Sequence, residues 1–250
     1  MCKYTLLICF HVLLWKAVLP AQNITYYVPN PVQVPSLSEG KQGNVLAGFS
    51  WSNGYTGYNL MGMYSPRKNL LLILNHNGRS GRVFQKIKQY ATNFHLTEIG
   101  VGAYHVDRDY ISSAMAGYGQ EKLFSSYNNK LAQTSTLHLQ RYFLQGAYSY
   151  VNSVSTIGVG IRFLLIRYTQ GLISSDLEQE YLRELKKIEQ KSPVFVPELA
   201  FHVGIVRYHP IVISMHLTTH LPSVNKLKIQ ESSFGMSIGY QFGRKKTQME

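Results

Sequence analysis

Three histidines in the C-terminal half of the chain, His202, His216 and His220, are the first residues whose type suggests chemistry. At alternate positions of neighbouring β-strands, such side chains share one face of the sheet and can converge on a metal ion. A metal site needs further ligands, and the sequence places no third, carboxylate ligand firmly beside these histidines. We therefore predict no metal and no other cofactor.

Hydrolytic sites are the second kind of chemistry to consider. A serine hydrolase requires a serine that touches a histidine base, and with 9 His and many Ser in the chain, chance matches of spacing are plentiful. Asp107 and Asp109 have the residue type of a catalytic carboxylate pair. They flank Arg108 in a short polar segment, however, where aspartate commonly forms a turn. We predict that the protein is not an enzyme.

A larger set of polar residues recurs on the small or polar face of alternating segments. Charged groups removed from water need partners, whatever the function of the protein. We predict that these residues form a structural network inside a barrel, and the functional alternatives are a narrow polar conduit or a small-ligand site. The set consists of Glu98, Arg141, Gln145, Arg162, Glu198, His202, His216 and His220.

The elements that would position this network are strands. After Gly43, apolar residues alternate with small or polar ones, as Ile211, Ile213 and Met215 do in the segment 210–220. This alternation is typical of strands with two different faces, and the clearest segments reach the ~9–11 residues that cross a bilayer at a tilt. The predicted strands are 44–52, 56–65, 69–75, 95–106, 111–119, 135–151, 154–169, 194–207, 210–220 and 232–242.

The connections between these strands differ in length on the two sides of the predicted sheet. Even-numbered connections are short, at 66–68, 107–109, 152–153 and His209–Pro210, whereas most odd-numbered ones are long, at 76–94, 120–134, 170–193 and 221–231. Outer-membrane barrels have short periplasmic turns and long external loops. The sequence therefore predicts an all-β, antiparallel up-and-down β-barrel of about ten strands, membrane-embedded, at 44–242.

One of the long loops has helical character. Ser175 followed by Glu178 resembles a capping box, and Leu177, Tyr181, Leu185 and Ile188 share one face. We predict a short amphipathic helix that ends before Pro193 and packs over the barrel rim or lies at the headgroup surface. The alternative is a docking helix for a partner.

Composition agrees with a barrel in a membrane. Charged residues make up 15% of the chain and hydrophobic residues 45%, whereas soluble domains have about 25% charged residues. After the N-terminus, no apolar run reaches the ~18 residues of a transmembrane helix candidate.

The two ends of the chain have their own composition. Residues 1–21 have the form of a secretory signal peptide, with Lys3 before an apolar core and with Ala17 and Ala21 near a cleavage site. Both cysteines lie inside it, so the mature chain would have no thiol chemistry. Residues 22–43 contain closely spaced prolines and predict an extended arm, which lies along the barrel mouth or enters the lumen. Residues 243–250 form a polar basic tail.

Removal of the predicted signal leaves 23 basic and 13 acidic residues. The basic charge lies in loops and at the tail, without a basic helix or an aromatic RNA motif, so we predict no nucleic-acid partner. Membrane lipids are the expected counterpart. The closing segment 238–242 resembles the aromatic C-terminal signal that the barrel-insertion machinery recognises, although a tail follows Phe242. The sequence identifies no protein partner.

Several short segments resemble a known family, the small and largely uncharacterised outer-membrane β-barrel proteins of Bacteroidetes-type bacteria. The resemblance spans nearly all of the mature chain and implies an exported barrel of the bacterial outer membrane; it implies no activity. The matching segments are Tyr27-Val28-Pro29, Pro35-Ser36-Leu37-Ser38-Glu39-Gly40, Glu98-Ile99-Gly100-Val101-Gly102-Ala103-Tyr104, Arg141-Tyr142-Phe143-Leu144-Gln145 and Pro197-Glu198-Leu199-Ala200.

Three functions follow as hypotheses. The first is a non-enzymatic outer-membrane barrel, either a structural or adhesive surface protein or a narrow passive pore. The second is a soluble periplasmic barrel that carries a small apolar ligand, and it requires the apolar faces to line the interior. The third is an outer-membrane barrel hydrolase, and it requires a close Ser–His or carboxylate pair at the long-loop rim.

Overall fold

The computed structural model describes residues 27–37, 40–52, 54–85, 88–127, 133–175, 177, 179–205, 210–221 and 232–243. Within these ranges the chain forms ten antiparallel strands and a helix. The strands are β1 (Gln42–Ser52), β2 (Tyr55–Ser65), β3 (Leu70–Gln85), β4 (Lys88–Asp107), β5 (Tyr110–Tyr127), β6 (Thr134–Val151), β7 (Ser155–Ile173), β8 (Val194–Ile205), β9 (Ile211–His220) and β10 (Ser232–Phe242). The helix, α1 (Gln179–Gln190), lies between β7 and β8.

The sheet closes on itself. Each strand pairs with its neighbours in sequence, and β1 pairs with β10 from Gly43 opposite Phe242 to Trp51 opposite Phe234. Closure leaves no free sheet edge, so the backbone N–H and C=O groups of the strands bond to each other, as the interior of a bilayer requires. The predicted all-β, up-and-down antiparallel barrel with one short helix in a long loop is confirmed.

Two of the long loops predicted from the sequence are wrong. In place of the loop 76–94, β3 and β4 stay paired up to Gln85 and Lys88. In place of much of the loop 120–134, β5 continues to Tyr127 and pairs with β6 over this length. The barrel is therefore longer on one side partly because strands, and not only loops, project beyond the apolar band there.

The reason is that the pattern of apolar residues ends before the strands do. On β4 the outward residues change from Ile99 to Thr97 and His95, while the backbone pairing with β5 continues. Beyond the lipid-facing band an outward residue gains nothing from being apolar. Hydropathy alternation thus marks the apolar part of a strand, not its end.

Two of the short turns at the other rim use a residue in the left-handed conformation. Asn69 (φ 69°) lies in the β2–β3 turn and Arg108 (φ 54°) in the β4–β5 turn. Asp107 and Asp109 flank Arg108 with exposed side chains, in the arrangement of a polar turn.

The outer surface of the barrel carries rows of exposed apolar side chains. Ile99, Leu144 and Ile238 are each 58% exposed, although they lie in the middle of long strands. Their sequence neighbours point inward, and Glu98 is completely buried. This is the distribution of a lipid-facing sheet, with the apolar face outside and the polar face inside.

Paired aromatic rings lie near both ends of this apolar band, as in the girdles that flank membrane barrels. Their ring centroids are between 5.2 and 6.2 Å apart. The pairs are Tyr64–Phe242 and Tyr110–Tyr148 at the end of the band toward the short-turn rim, and Tyr118–Tyr142 and Phe163–Phe195 at its end toward the long-loop rim.

Some predictions fall outside the described residues. These are the signal peptide at 1–21, the first residues of the arm, the capping glutamate Glu178 and the tail after Gly243. No helix in the described ranges is long and apolar enough to cross a membrane.

Candidate functional site

Four charged residues meet in the middle of the barrel. Arg162 on β7 contacts Glu198 on β8, with Nη2 2.7 Å from Oε2, and also Glu98 on β4, with Nη1 3.2 Å from Oε2. Arg141 on β6 places Nη2 3.5 Å from Oε1 of the same Glu98. Each of these side chains is at most 1% exposed. All four faced the lumen in the sequence pattern, and closure of the sheet brings them together.

Two further charges extend this cluster toward the long-loop rim. Arg141 Nη1 lies 3.3 Å from Oε2 of Glu121 on β5. Arg79 on β3 is buried and donates from Nη2 to Ser233 Oγ at 3.4 Å. Neither residue belongs to the network predicted from the sequence, because both lie in segments predicted to be loops. Counting Arg79, three arginines and three glutamates balance formally in the lumen, as the high cost of burying net charge favours. Arg79 itself forms no ion pair among the described residues, where its Nε and Nη1 have no hydrogen-bond partner.

The N-terminal arm runs inside the barrel, and Tyr27 joins it to the charged cluster. The Tyr27 hydroxyl donates to Glu198 Oε1 and accepts a hydrogen bond from Arg141 Nη2 at 3.0 Å. The Arg141 guanidinium also lies over the Tyr27 ring, 5.0 Å from its centroid. The position of the arm, which the sequence left open, is therefore the lumen for residues 27–37.

Hydrogen bonds hold the arm along its length. Gln145 Nε2 donates to the Gln33 carbonyl at 2.6 Å, and Ser149 Oγ donates to the Pro35 carbonyl at 2.7 Å. From Pro35 back to Tyr27, the arm thus passes Ser149, Gln145 and Arg141 of β6 in turn, rising from the short-turn rim to the centre of the lumen.

The side chain of Gln33 fixes the arm to the opposite wall. Its Nε2 donates to Asn75 Oδ1 at 2.5 Å and reaches the carbonyls of Gly62 and Leu74 at 3.2 and 3.3 Å. The arm therefore spans the lumen between β6 and the β2–β3 pair. Three prolines keep it extended and remove backbone donors that would otherwise need partners.

Glycines on the inner face of β7 make room for the arm. A Cβ atom at Gly158 would lie 2.4 Å from Val34 Cγ1, which is an overlap, whereas one at Gly160 would lie 3.5 Å from Val32 Cγ1. The small inward residues of β7 thus match the valines of the arm.

The long-loop end of the lumen is filled by apolar side chains beneath α1. Leu164 and Ile166 of β7 are fully buried, and Tyr181 of α1 packs on Tyr127 of β5 with ring centroids 4.4 Å apart. The apolar face predicted for the helix is buried against this cluster. It consists of Leu177, Tyr181, Leu185 and Ile188. In the described residues, α1 therefore packs at the long-loop end of the lumen, and the arm occupies the part between the short-turn rim and the centre.

Two of the predicted histidines lie apart from the charged cluster. His202 and His216 occupy opposite positions on β8 and β9 and line a cavity of about 20 Å³, which is enough for roughly one water molecule. The imidazole nitrogens of His216 have no hydrogen-bond partner among the described residues, so this polar cavity is a natural place for a water. His220 lies opposite Glu198 at the end of β9 and is half-buried.

The structure also locates the residues considered for catalysis. No group of three His, Cys, Asp or Glu that could hold a metal ion occurs in the described part of the chain. A hydroxyl–imidazole contact joins Thr97 Oγ1 to His76 Nδ1 at 2.9 Å, and Tyr58 lies on the other ring nitrogen of His76 at 3.2 Å. This contact lies on the outer face of the sheet beside the aromatic girdle.

Comparison with known proteins finds similarity to solved structures at low sequence identity. No family model and no curated protein matches the chain. Among solved structures, it is similar to Ail, the attachment invasion locus protein of Yersinia pestis, with 7% identity and a TM-score of 0.39 over 81% of this chain and 99% of the other. It is likewise similar to the outer membrane protein OprG from Pseudomonas aeruginosa (8% identity, TM-score 0.39, over 82% and 97% of the two chains). It is also similar to an outer membrane channel from Pseudomonas putida F1, with 10% identity and a TM-score of 0.39 over 86% of this chain and 100% of the other. Identities of this size transfer neither a function nor a site.

Proposed function

We propose that the protein is a non-enzymatic β-barrel of the bacterial outer membrane, sealed by its own N-terminal arm, that acts through its surface and not as a pore. The observation that carries this proposal is the path of residues 27–37. These residues are almost wholly buried in the lumen and bond to β3, β6 and β7.

The alternative of a narrow passive pore fits the lumen less well. An open pore needs a continuous path of water lined by polar groups. Here the middle of the lumen holds the ion-paired residues Arg141, Arg162, Glu98 and Glu198 together with the arm, and the long-loop end holds an apolar core beneath α1. The cavity at His202 and His216 accommodates about one water molecule and not a solute.

The alternative of a soluble ligand carrier requires apolar faces that line the interior. The apolar rows of this barrel face outward, and the centre of the lumen is polar. A soluble protein rarely exposes apolar patches of more than a few hundred Å². A membrane is therefore the better environment for this surface.

The hydrolase alternative lacks a suitable site in the described residues. The contact between Thr97 and His76 lies on the outer face of the sheet just beyond the apolar band, and Tyr58 lies on the other ring nitrogen of His76. Asp107 and Asp109 lie in an exposed turn. The proposal is therefore a protein without catalytic function.

The resemblance to small Bacteroidetes-type outer-membrane barrels supports the same conclusion. The short segments that carry it supply Tyr27, Glu98, Arg141 and Glu198, which meet in the lumen. We propose that the chain is a member of this group, and that the role of those segments is to close the lumen.

Conductance across a planar bilayer tests the proposal. Residues 22–250 are refolded in detergent micelles, and the folded fraction is measured as the compact band that disappears on boiling in gel electrophoresis. We expect this fraction to form in detergent and not in buffer alone, and to give no steady current after insertion, while a porin in the same bilayer does. A steady, ohmic current from the heat-modifiable protein would refute the sealed lumen. Cooperative refolding without detergent would favour the soluble carrier.

A further inference from the structure

The outer faces of β4, β5, β6 and β7 change from apolar to polar side chains between one row of directly opposite residues and the next. The last apolar row toward the long-loop rim includes the Tyr118–Tyr142 ring pair. In the next two rows beyond it the outward residues are polar on all four strands. This apolar row consists of Ile99, Tyr118, Tyr142 and Leu165, which lie directly opposite one another.

The next two rows consist of side chains that can donate hydrogen bonds. The residues are exposed or half-exposed, and we call them the donor patch. The first row is Thr97, Gln120, Gln140 and Arg167, and the second is His95, Lys122, His138 and Thr169.

The donor patch has no negative charge of its own. Among the described outward residues of β4–β7 between the apolar row and the long-loop rim, none is acidic. The acidic residues of this part of the barrel, Glu98 and Glu121, face the lumen and are paired there with Arg141. At the opposite rim, by contrast, Asp107 and Asp109 are exposed.

The arrangement of the cations indicates an external counterion. Lys122 lies directly between His95 and His138, and Arg167 lies opposite Gln140 one row below. Directly opposite side chains in an antiparallel pair have Cβ atoms ~4.5–5.5 Å apart, so these groups can act together on one anion. Neither cation forms a salt bridge within the described residues.

We propose that the donor patch binds the phosphate groups of lipids in the leaflet at the long-loop rim. This inference rests on the proposed membrane location. Phosphates lie at the level where aromatic girdles meet the headgroups, which is where Lys122 and Arg167 emerge above Tyr118 and Tyr142. Amide and imidazole N–H groups add hydrogen bonds to the charge attraction.

Lipid titration in detergent tests the inference. The folded chain, residues 22–250 in zwitterionic detergent, is titrated with phosphatidic acid, and the temperature at which the compact gel band is lost is followed as a measure of binding. Lys122→Gln combined with Arg167→Gln removes both cations and retains polar side chains. Arg183→Gln combined with Lys187→Gln on α1, where both residues are exposed, removes the same charge away from the patch.

We expect phosphatidic acid to raise this temperature for the native chain, and the patch variant to need roughly tenfold more lipid for the same shift. The α1 variant and the native chain should respond alike. Equal responses of all three proteins, or an equal loss in the α1 variant, would overturn the inference. So would the same shift produced by inorganic phosphate alone, because the site would then bind free phosphate. Failure to form any compact band in detergent would instead refute the membrane barrel.

Discussion

The charged cluster predicts a large and non-additive effect on stability. Arg162 is 1% exposed and contacts Glu98 and Glu198 at 3.2 and 2.7 Å. Replacing it with Met leaves Glu198 with the Tyr27 hydroxyl but without the cation beside it. Removal of one partner from a buried ion pair destabilises a protein by about 3–5 kcal/mol, so we expect this loss for Arg162→Met. Arg167→Met, on the outer face of the same strand, should cost less than about 0.5 kcal/mol.

A double variant measures the interaction free energy of the Arg162–Glu198 pair separately from the contributions of the surrounding residues. Glu198→Gln alone leaves Arg162 with Glu98, whereas Arg162→Met with Glu198→Gln removes one charge of each sign and keeps the cluster formally neutral. We expect the double variant to be about 2–3 kcal/mol more stable than the sum of the single losses predicts. Urea unfolding in micelles, followed by the fluorescence of Trp51, gives the three free energies. Additive losses, or an Arg162→Met loss no larger than that of Arg167→Met, would mean that water fills the cluster and would refute the sealed lumen.

Two further variants test the seat of the arm. Gly158→Ala places a Cβ 2.4 Å from Val34 Cγ1 and should lower the free energy of unfolding by about 1–3 kcal/mol. Gly160→Ala places a Cβ at an ordinary contact distance of 3.5 Å from Val32 Cγ1 and should have little effect. Equal urea midpoints for the two variants would argue against an arm that packs on β7. Tyr27→Phe leaves Glu198 Oε1 without the donor that the structure gives it and should cost about 1–3 kcal/mol, while Tyr148→Phe on the outer surface should unfold like the native chain. A Tyr27→Phe protein as stable as the native one would contradict the contact.

Sequence alternation predicted ten strands and the faces they present. Ile211, Ile213 and Met215 indicate an outward face because lipid selects apolar groups on one side of each strand, residue by residue, whatever the rest of the chain does. The helix on Tyr181 and Leu185 was predictable for the same reason, since its pattern is local. The projecting parts of β3, β4 and β5 were missed because no such selection acts above the apolar band.

Tertiary structure alone decided how the inward residues combine. Tyr27 and Glu198 are separated by 171 positions, and Arg162 and Glu98 by 64. The local pattern indicates that Glu98, Arg141, Arg162 and Glu198 face inward, but their heights and partners depend on the register of every strand pair around the closed sheet. The location of the arm depends most strongly on the tertiary structure. Its prolines predict an extended chain, but the amide and hydroxyl groups that bond to it and the glycines that make room for it come together only when the barrel closes.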